Sequence, residues 1–219
     1  MKCLGIGEKS IINKKGKMNY WQNFYKNKKF HKKIDFPSQF AIFCIGEKLN
    51  ESNIIEFGCG NGRDALFFSK YFKKVYAFDK SKFAIDYNKK KFLKNKNLNF
   101  YRYDINDKFK LIKLKNKKKC IYARFFLHTL NDHEITVFTK LCSSLLKKNE
   151  KVFCEYRTKK DKFQKKVFRN HFRNYLNPKN ISRIFKSQKL NKIYQVEGQG
   201  FAIYKNEDAY VSRQIFIKR

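Results

Sequence analysis

The stretch that most constrains the fold is Asn53-Ile-Ile-Glu-Phe-Gly-Cys-Gly-Asn-Gly62, a short apolar run that ends in a glycine-rich turn. The run has the length and composition of a buried strand, and a helical pattern follows the turn. Glycines at 58, 60 and 62 let the backbone turn sharply and pass close to a ligand, where a Cβ atom would interfere. A strand, a glycine turn and a helix in this order are typical of the nucleotide-binding edge of an α/β sheet.

Two carboxylates in this region narrow the class of ligand. The next apolar run, Val75-Tyr-Ala-Phe-Asp79, ends in an acid that is placed to accept hydrogen bonds from ribose hydroxyls. Glu56 lies inside the first run, where it would repel a pyrophosphate but would suit a cationic group. The G-x-G-x-G spacing also differs from the G-x-G-x-x-G of dinucleotide sites. We therefore expect a cofactor that contains a nucleoside and carries a positive charge.

The Glu-x-Gly-x-Gly-x-Gly pattern that begins at Glu56 resembles motif I of the class I S-adenosylmethionine-dependent methyltransferases. The resemblance implies S-adenosylmethionine as the cofactor and S-adenosylhomocysteine as the product. It implies that Glu56 lies beneath the methionine end and that the turn passes under the adenosyl group. The turn residues so assigned to cofactor binding are Gly58, Cys59, Gly60, Asn61 and Gly62.

Strand-like runs alternate with helical segments from residue 53 onward, which predicts a parallel sheet with crossover helices. The predicted strands are 53–57, 75–78, 98–103, 120–124 and 151–156, followed by two more at 191–197 and 210–218, with residues 201–204 in the antiparallel return between them. The predicted helices are 61–72, 82–93, 132–146 and 179–186. With the resemblance, this gives a Rossmann-like α/β fold: a seven-stranded, mostly parallel sheet with an antiparallel last strand and helices on both faces.

The chain is predicted to form a single methyltransferase domain over residues 18–219, preceded by a loose extension of residues 1–17. Residues 18–50 are expected to form helices over the cofactor site. One of these helices should begin after Pro37, with Ser38 as its N-cap.

Asp104 and Ile105 follow the third predicted strand, at the edge where ligands bind in open α/β sheets. The acid could accept a hydrogen bond from the adenine amino group, and Ile105 could pack on the ring, as the resemblance implies. The alternative is an ordinary turn in which Asp104 bonds its own backbone. Lys80, which follows Asp79 and departs from the family pattern, completes this side of the predicted cofactor site.

The segment Tyr122-Ala-Arg-Phe-Phe-Leu-His128 is the second informative stretch. It resembles a Y-x-R-F-x-L-H signature of bacterial class I methyltransferases found with polysaccharide and small-molecule biosynthesis genes. Arg124 should then lie where cofactor and substrate meet, and His128 is the candidate catalytic base because histidine titrates near neutral pH. Alternatively, His128 only orients the helix that follows.

Four cationic side chains, Arg124, Arg157, His171 and Arg173, indicate an anionic substrate. Arginine forks match carboxylate and phosphate oxygens in two-point contacts. The competing interpretation is that they are surface cations of a lysine-rich chain. We expect methyl transfer to an oxygen, and less readily to a nitrogen, of a small anionic metabolite or a sugar- or nucleotide-linked acceptor.

The net charge of +34 raises the alternative of an RNA methyltransferase. The lysines are spread evenly, however, which favours compositional drift over a dedicated nucleic-acid surface. No Asn/Asp-Pro-Pro-Tyr/Phe motif follows the fourth strand, so methylation of an exocyclic base amine is disfavoured. A further alternative is a regulator that binds the cofactor without turnover.

Cysteine and histidine spacing favours a reducing cytoplasm and predicts no metal site. The six cysteines include no C-x-x-C pair, and the four histidines form no ligand cluster with them. No apolar run approaches the roughly 20 residues of a membrane span, and no apolar leader segment is visible.

Overall fold

A computed structural model of the chain describes residues 14–27, 36–47, 52–109, 117–167 and 171–219. The helices within this part are α1 (Lys14–Lys26), α2 (Gln39–Gly46), α3 (Arg63–Phe68), α4 (Lys82–Lys91), α5 (Asp132–Leu145) and α6 (Pro178–Ser187). The strands are β1 (Asn53–Phe57), β2 (Lys74–Asp79), β3 (Leu98–Arg102), β4 (Lys119–Arg124), β5 (Lys151–Arg157), β6 (Leu190–Gly198), β7 (Ile203–Tyr204), β8 (Glu207–Asp208) and β9 (Val211–Lys218). Short 3-10 turns cover Leu127–Thr129 and Lys159–Phe163.

Seven strands form one sheet in the order β3-β2-β1-β4-β5-β9-β6. The pairs from β3 to β5 are all parallel, whereas β9 runs antiparallel to both β5 and β6. The predicted Rossmann-like fold, with an antiparallel last strand, is confirmed. All five residues of β1 are buried, as expected of a strand in the middle of a sheet that is covered on both faces.

Helices cover both faces of the sheet, because successive side chains of a strand point to opposite sides. Ile55 of β1 packs in one core cluster with Phe138 of α5 and Phe185 of α6. Its neighbour Ile54 packs in the other cluster with Phe40 of α2 and Phe68 of α3, among other residues. The sheet therefore buries apolar side chains on two sides and leaves its carboxyl edge to carry ligands.

Side-chain caps fix where the helices begin around this edge. Ser38 accepts a hydrogen bond from the backbone N–H of Ala41 at the start of α2, which confirms the predicted N-cap. Ser81 does the same for Ala84 at the start of α4. Asn131 and Glu134 form a reciprocal capping box at the start of α5.

Two predicted elements differ from the structure. The helix predicted over 61–72 covers only Arg63–Phe68. It starts later because Gly62 has a left-handed φ of 73°, and after Phe68 the bonds to the residue three positions back tighten the chain into turns. The piece near residues 201–204, expected within the antiparallel return, forms with β8 a separate two-stranded hairpin outside the main sheet.

The N-terminal prediction lies partly outside the described residues. Residues 1–13 of the expected extension fall there, whereas residues 14–17 belong to α1. Parts of the predicted 18–50 region, residues 28–35 and 48–50, also lie outside the described residues. None of the helices that the structure describes is long and apolar enough to cross a membrane.

Candidate functional site

The carboxyl ends of β1, β2 and β4 border two adjoining cavities of about 550 and 440 Å3, called here the first and second cavity. Asp79, Asp104 and Ile105 line the first cavity. Glu56, Arg124 and His128 line the second, together with other residues. The residues common to both are Trp21, Tyr25, Gly58, Phe125 and His171, so these residues mark the junction.

The glycine turn between β1 and α3 is held in left-handed conformations. Gly58, Gly60 and Gly62 have φ angles of 77°, 53° and 73°. The N–H of Gly58 donates to the carbonyl oxygen of Phe78 at 2.8 Å, which ties the turn to β2. A Cβ atom at Gly60 would collide with the hydroxyl of Tyr25 from α1. The turn is thus closely covered by α1, and glycine is required there for both conformation and space.

Asp79 ends β2 and organises the turn that faces it. One carboxylate oxygen accepts the N–H of Gly60 at 2.9 Å, and the other accepts the N–H of Ser81 at 2.8 Å. Burial raises the pKa of Asp79, and the backbone donors act in the opposite direction. Since each carboxylate oxygen can accept more than one hydrogen bond, Asp79 retains capacity for ligand hydroxyls in the first cavity.

Glu56 presents a buried carboxylate to the second cavity. Its side chain is 3% exposed, and Oε2 has no hydrogen-bond partner among the described residues. Burial raises its pKa well above the ordinary 4.5, and the neighbouring Asp64 and Asp79 raise it further. An unsatisfied buried acceptor is costly, and a cationic ligand would remove that cost. The site thus fits a ligand with a positive charge next to the glycine turn.

Asp104 also lines the first cavity, with Lys80 beside it. Lys80 pairs with it at 2.6 Å, and Asn106 donates its backbone N–H to it at 3.1 Å. Burial opposes ionisation, but the hydrogen bonds from Lys80 and Asn106 prevail and lower the pKa of Asp104. The hydrogen bond from Asn106 forms the local turn that was predicted as the alternative to adenine binding. Asp104 nonetheless lines the cavity together with Ile105.

A sequence model described as a methyltransferase domain matches residues 25–205, which include the glycine turn, Glu56, Asp79 and His128. The chain belongs to this methyltransferase family. Family and fold together imply S-adenosylmethionine as the cofactor, and the orphaned Glu56 oxygen and the glycine cradle fit its cationic methionine end.

Solved structures with the same fold include methyltransferases from several microbes. An S-adenosylmethionine-dependent enzyme of Anabaena variabilis is 17% identical with a TM-score of 0.69, over 92% of this chain and 95% of that one. One from Clostridium acetobutylicum is 15% identical with a TM-score of 0.63, over 92% and 99%. One from Methanosarcina mazei is 14% identical with a TM-score of 0.65, over 80% and 96%. Such identities establish the fold alone. No curated protein matches the sequence significantly.

In this methyltransferase, Arg124 is fixed on the wall of the second cavity. Its Nε donates to Glu155 at 2.9 Å, and the second oxygen of Glu155 accepts from Arg213 of β9 at 2.8 Å. The guanidinium of Arg124 also lies 4.3 Å from the ring centre of Phe125. The end of β4 therefore presents a guanidinium group whose position is fixed by Glu155 of β5 and Arg213 of β9.

His128 is buried in the second cavity as a neutral imidazole. Its Nδ1 accepts the backbone N–H of Arg157 at 3.3 Å. Burial lowers its pKa well below 6.5, and the charges of Arg157, His171 and other cations lower it further. With Nδ1 accepting, the proton of the neutral ring is on Nε2. His128 therefore offers a hydrogen-bond donor, which suits orienting an oxygen better than removing its proton.

Arg157 is engaged by two carboxylates of the protein. One guanidinium nitrogen donates to Asp161 at 2.8 Å and another donates to Glu207 of the β7–β8 hairpin. The guanidinium group that was predicted to bind a substrate anion therefore connects β5 to the β7–β8 hairpin. Its substrate role stays a prediction, and these contacts favour support of the cavity wall.

His171 and Arg173 reach the second cavity on the segment before α6. The backbone N–H of Asn174 donates to the carbonyl oxygen of His128 at 2.7 Å, which holds this segment against the active-site edge. The ring of His171 packs 5.0 Å from Trp21. The structure therefore gathers all four predicted substrate cations around one cavity.

Sequence reasoning missed a buried network under the second cavity. Asp64 accepts hydrogen bonds from the Ser38 N–H, the Ser38 hydroxyl and the Tyr122 hydroxyl, each at 2.7 Å. In the sequence, Asp64 stands in the first turn of a predicted helix, a position that the helix dipole explains equally well. No local spacing connects residues 38, 64 and 122, so the network could not be read from the sequence.

The aromatic junction of the two cavities was also missed. Trp21 and Tyr25 belong to α1, and Phe125 follows β4 with a left-handed φ of 51°. Such a backbone conformation is uncommon for a bulky residue and concentrates at functional sites. The aromatic run at residues 20–25 and Phe125 in the second signature were available signals, but neither indicates by itself that the rings meet.

Proposed function

We propose that this methyltransferase transfers a methyl group from S-adenosylmethionine to an oxygen, and less readily to a nitrogen, of a small anionic metabolite or a sugar- or nucleotide-linked acceptor. The observation that carries the proposal is the lining of the second cavity. It adjoins the glycine turn and combines a neutral imidazole donor, His128, with the cations Arg124 and Arg173. These groups suit an oxygen that already carries negative charge.

The residues of the two cavities divide the binding of the cofactor between them. Asp79 would accept from the ribose hydroxyls, and Asp104 with Ile105 would hold the adenine. Glu56 would face the cationic methionine end beside the glycine turn. Trp21 and Phe125 would then flank the reacting centre and exclude water from it.

Methyl transfer requires the protein mainly to align the acceptor atom with the methyl group of the cofactor. When bound, S-adenosylmethionine supplies a methyl group that its positively charged sulfur has already activated. His128 donates from Nε2 and orients the acceptor oxygen toward the junction. An ionised oxygen has no proton to lose, so no base is needed. A neutral hydroxyl would require His128 to release the bond from the Arg157 N–H and change tautomer.

We place the enzyme in cytoplasmic small-molecule biosynthesis. The Tyr122–His128 signature supports the grouping, and its Arg124 and His128 both line the second cavity. The five described cysteines are buried and free, which supports a reducing compartment. Cys3 lies outside the described residues.

The decisive experiment is turnover with methyl-labelled S-adenosylmethionine and a panel of small carboxylates, phenols and sugar phosphates. We expect S-adenosylhomocysteine and a labelled O-methyl product with at least one anionic acceptor. Binding of S-adenosylmethionine with no S-adenosylhomocysteine across the panel would favour the regulator that binds without turnover. Label transferred to RNA and to none of the small acids would favour the RNA methyltransferase, the alternative that the net charge of +34 supports.

A further inference from the structure

Exposed apolar side chains gather at the mouth of the second cavity. Phe36, Ile42 and Ile203 are 67%, 54% and 59% exposed, and all three line this cavity. They come from separate places, namely the residues before α2, α2 itself and the β7–β8 hairpin. Large exposed apolar residues that converge on one cavity indicate a ligand with an apolar surface.

The interior of the same cavity is polar. His128 and Arg157 are 3% and 7% exposed, and both lie on its inner wall with Arg124. The rings of Trp21 and Phe24 also line this cavity. The cavity therefore changes from apolar at its opening to polar at its inner end, where the carboxylates of Glu56, Asp64 and Glu207 accompany His128 and the arginines.

We infer that the acceptor is an amphiphilic small molecule with an aromatic body and one acidic oxygen, in a carboxylate or phenolate group. The body lies against Phe36, Ile42 and Ile203, and the acidic oxygen enters the interior and meets His128. This inference rests on the proposed function and names the acceptor class of its second cavity.

The shape and charge of the cavity favour this acceptor over a larger one. Its volume of about 440 Å3 must also hold the methionine end of the cofactor, which leaves room for a compact body. Aromatic side chains on several sides favour a flat ring, which they contact by offset or edge-to-face packing. The guanidinium of Arg63 lies 5.9 Å from the ring centre of Phe36, so this wall also carries positive charge close to the mouth.

Trp21 provides a direct measurement, because it is the single tryptophan of the chain and lies at the junction of the cavities. Its fluorescence is followed while the protein, saturated with S-adenosylhomocysteine, is titrated with phenylacetate, benzyl alcohol, acetate or a short single-stranded RNA. Phenylacetate is expected to bind at least tenfold more tightly than acetate, which lacks the ring, and than benzyl alcohol, which lacks the charge.

Variants of the mouth test the position of the ring. Phe36→Ser and Ile203→Ser should each weaken phenylacetate binding severalfold and change the affinities for acetate and S-adenosylhomocysteine much less, since both residues are largely exposed at the mouth whereas Glu56, assigned to the cofactor, is buried. Leu93→Ser is the matched control, because Leu93 is 83% exposed and lines neither cavity. It should leave all affinities unchanged.

The outcomes separate this inference from the proposed function. Failure of S-adenosylhomocysteine to bind at all would overturn the proposed function and the inference together. If S-adenosylhomocysteine binds but phenylacetate shows no advantage over acetate, or keeps its advantage in both mouth variants, only the amphiphilic acceptor is overturned. A Trp21 response to RNA without one to phenylacetate would also overturn it.

Discussion

At the scale of single residues, Glu56 is a buried carboxylate that costs stability and that we propose binds the cofactor. Its carboxylate is buried beside Asp64, and Oε2 has no partner among the described residues. A glutamine of the same shape would remove the charge and keep the packing. The same change would remove the attraction for a cationic methionine end.

Glu56→Gln should therefore weaken S-adenosylmethionine binding by about 1.5–3 kcal/mol, the usual contribution of a hydrogen bond to a charged group. Isothermal titration calorimetry measures this directly. Asp86→Asn is a suitable control, because Asp86 is exposed on α4 and lines neither cavity. Equal affinities in the Glu56 variant and the parent protein would remove Glu56 from the cofactor site.

The same substitution gives a pH-dependent stability difference with a defined sign. The folded protein raises the pKa of Glu56 above 4.5, so it binds a proton more tightly than the unfolded chain does. The protonated Glu56 side chain therefore makes its full contribution to the free energy of unfolding below pH 4.5, and this contribution is lost as the pH rises through the raised pKa. In denaturant unfolding, the stability of Glu56→Gln relative to the parent protein should increase as the pH rises above 4.5. A difference that is flat with pH would contradict the raised pKa.

His128 can be tested as a donor rather than a base. His128→Ala should spare cofactor affinity and slow methyl transfer by roughly ten- to a hundredfold, since the acceptor loses its orientation. His128→Gln carries an N–H donor but cannot act as a base at neutral pH, so it should recover part of the rate. Single-turnover rates with methyl-labelled cofactor separate the two roles. A glutamine variant as slow as the alanine variant would support the base instead.

At the scale of elements, α2 is tied into the site by its first residue. Ser38 caps α2 and also gives two hydrogen bonds to the buried Asp64, which opens α3 with Arg63. Ser81 caps α4 with a similar bond, but its hydroxyl donates to the neutral side chain of Gln22, and only its backbone N–H reaches an acid, Asp79. The two serines are therefore equivalent as caps and different as members of the network.

Ser38→Ala should destabilise the protein by about 2–4 kcal/mol, because it removes a cap and leaves Asp64 with fewer donors. Ser81→Ala should cost about 1 kcal/mol, the usual value for a cap alone. Both values come from urea unfolding of the two variants under identical conditions. Equal losses would show that the Asp64 network adds nothing beyond capping.

The elements also show how far the sequence predicts the structure. The strand β1 and the glycine turn were predictable because apolar run length and glycine conformation are local properties. The end of α3 was missed because apolar residues continue to Phe72 although the hydrogen bonding has changed. The pairing of Arg157 with Glu207 could not be anticipated, since 50 residues separate the partners and only the fold brings them together.

At the scale of the whole molecule, the net charge of +34 acts on any polyanion nearby. Non-specific RNA binding through lysines should fall steeply with salt, because each phosphate contact releases counterions. Binding of cofactor and of a small acid in the partly enclosed cavities should be much less sensitive, since buried interactions are screened less. Filter binding and calorimetry between 50 and 300 mM salt compare the two. RNA affinity that persists at high salt would favour a specific nucleic-acid site.

The position of β9 in the sheet determines the order in which the site can fold during synthesis. β6 has β9 as its one neighbour in the seven-stranded sheet, and Arg213 of β9 holds the Glu155 that positions Arg124. Translation delivers β9 after every other strand of the sheet. A nascent chain can therefore assemble the glycine turn and Asp79 early, whereas β6 and the Arg124 wall must wait until residue 218 has left the ribosome. The part of the edge that carries the glycine turn and Asp79 can form during elongation, and the wall that carries Arg124 matures only after β9 has been synthesised.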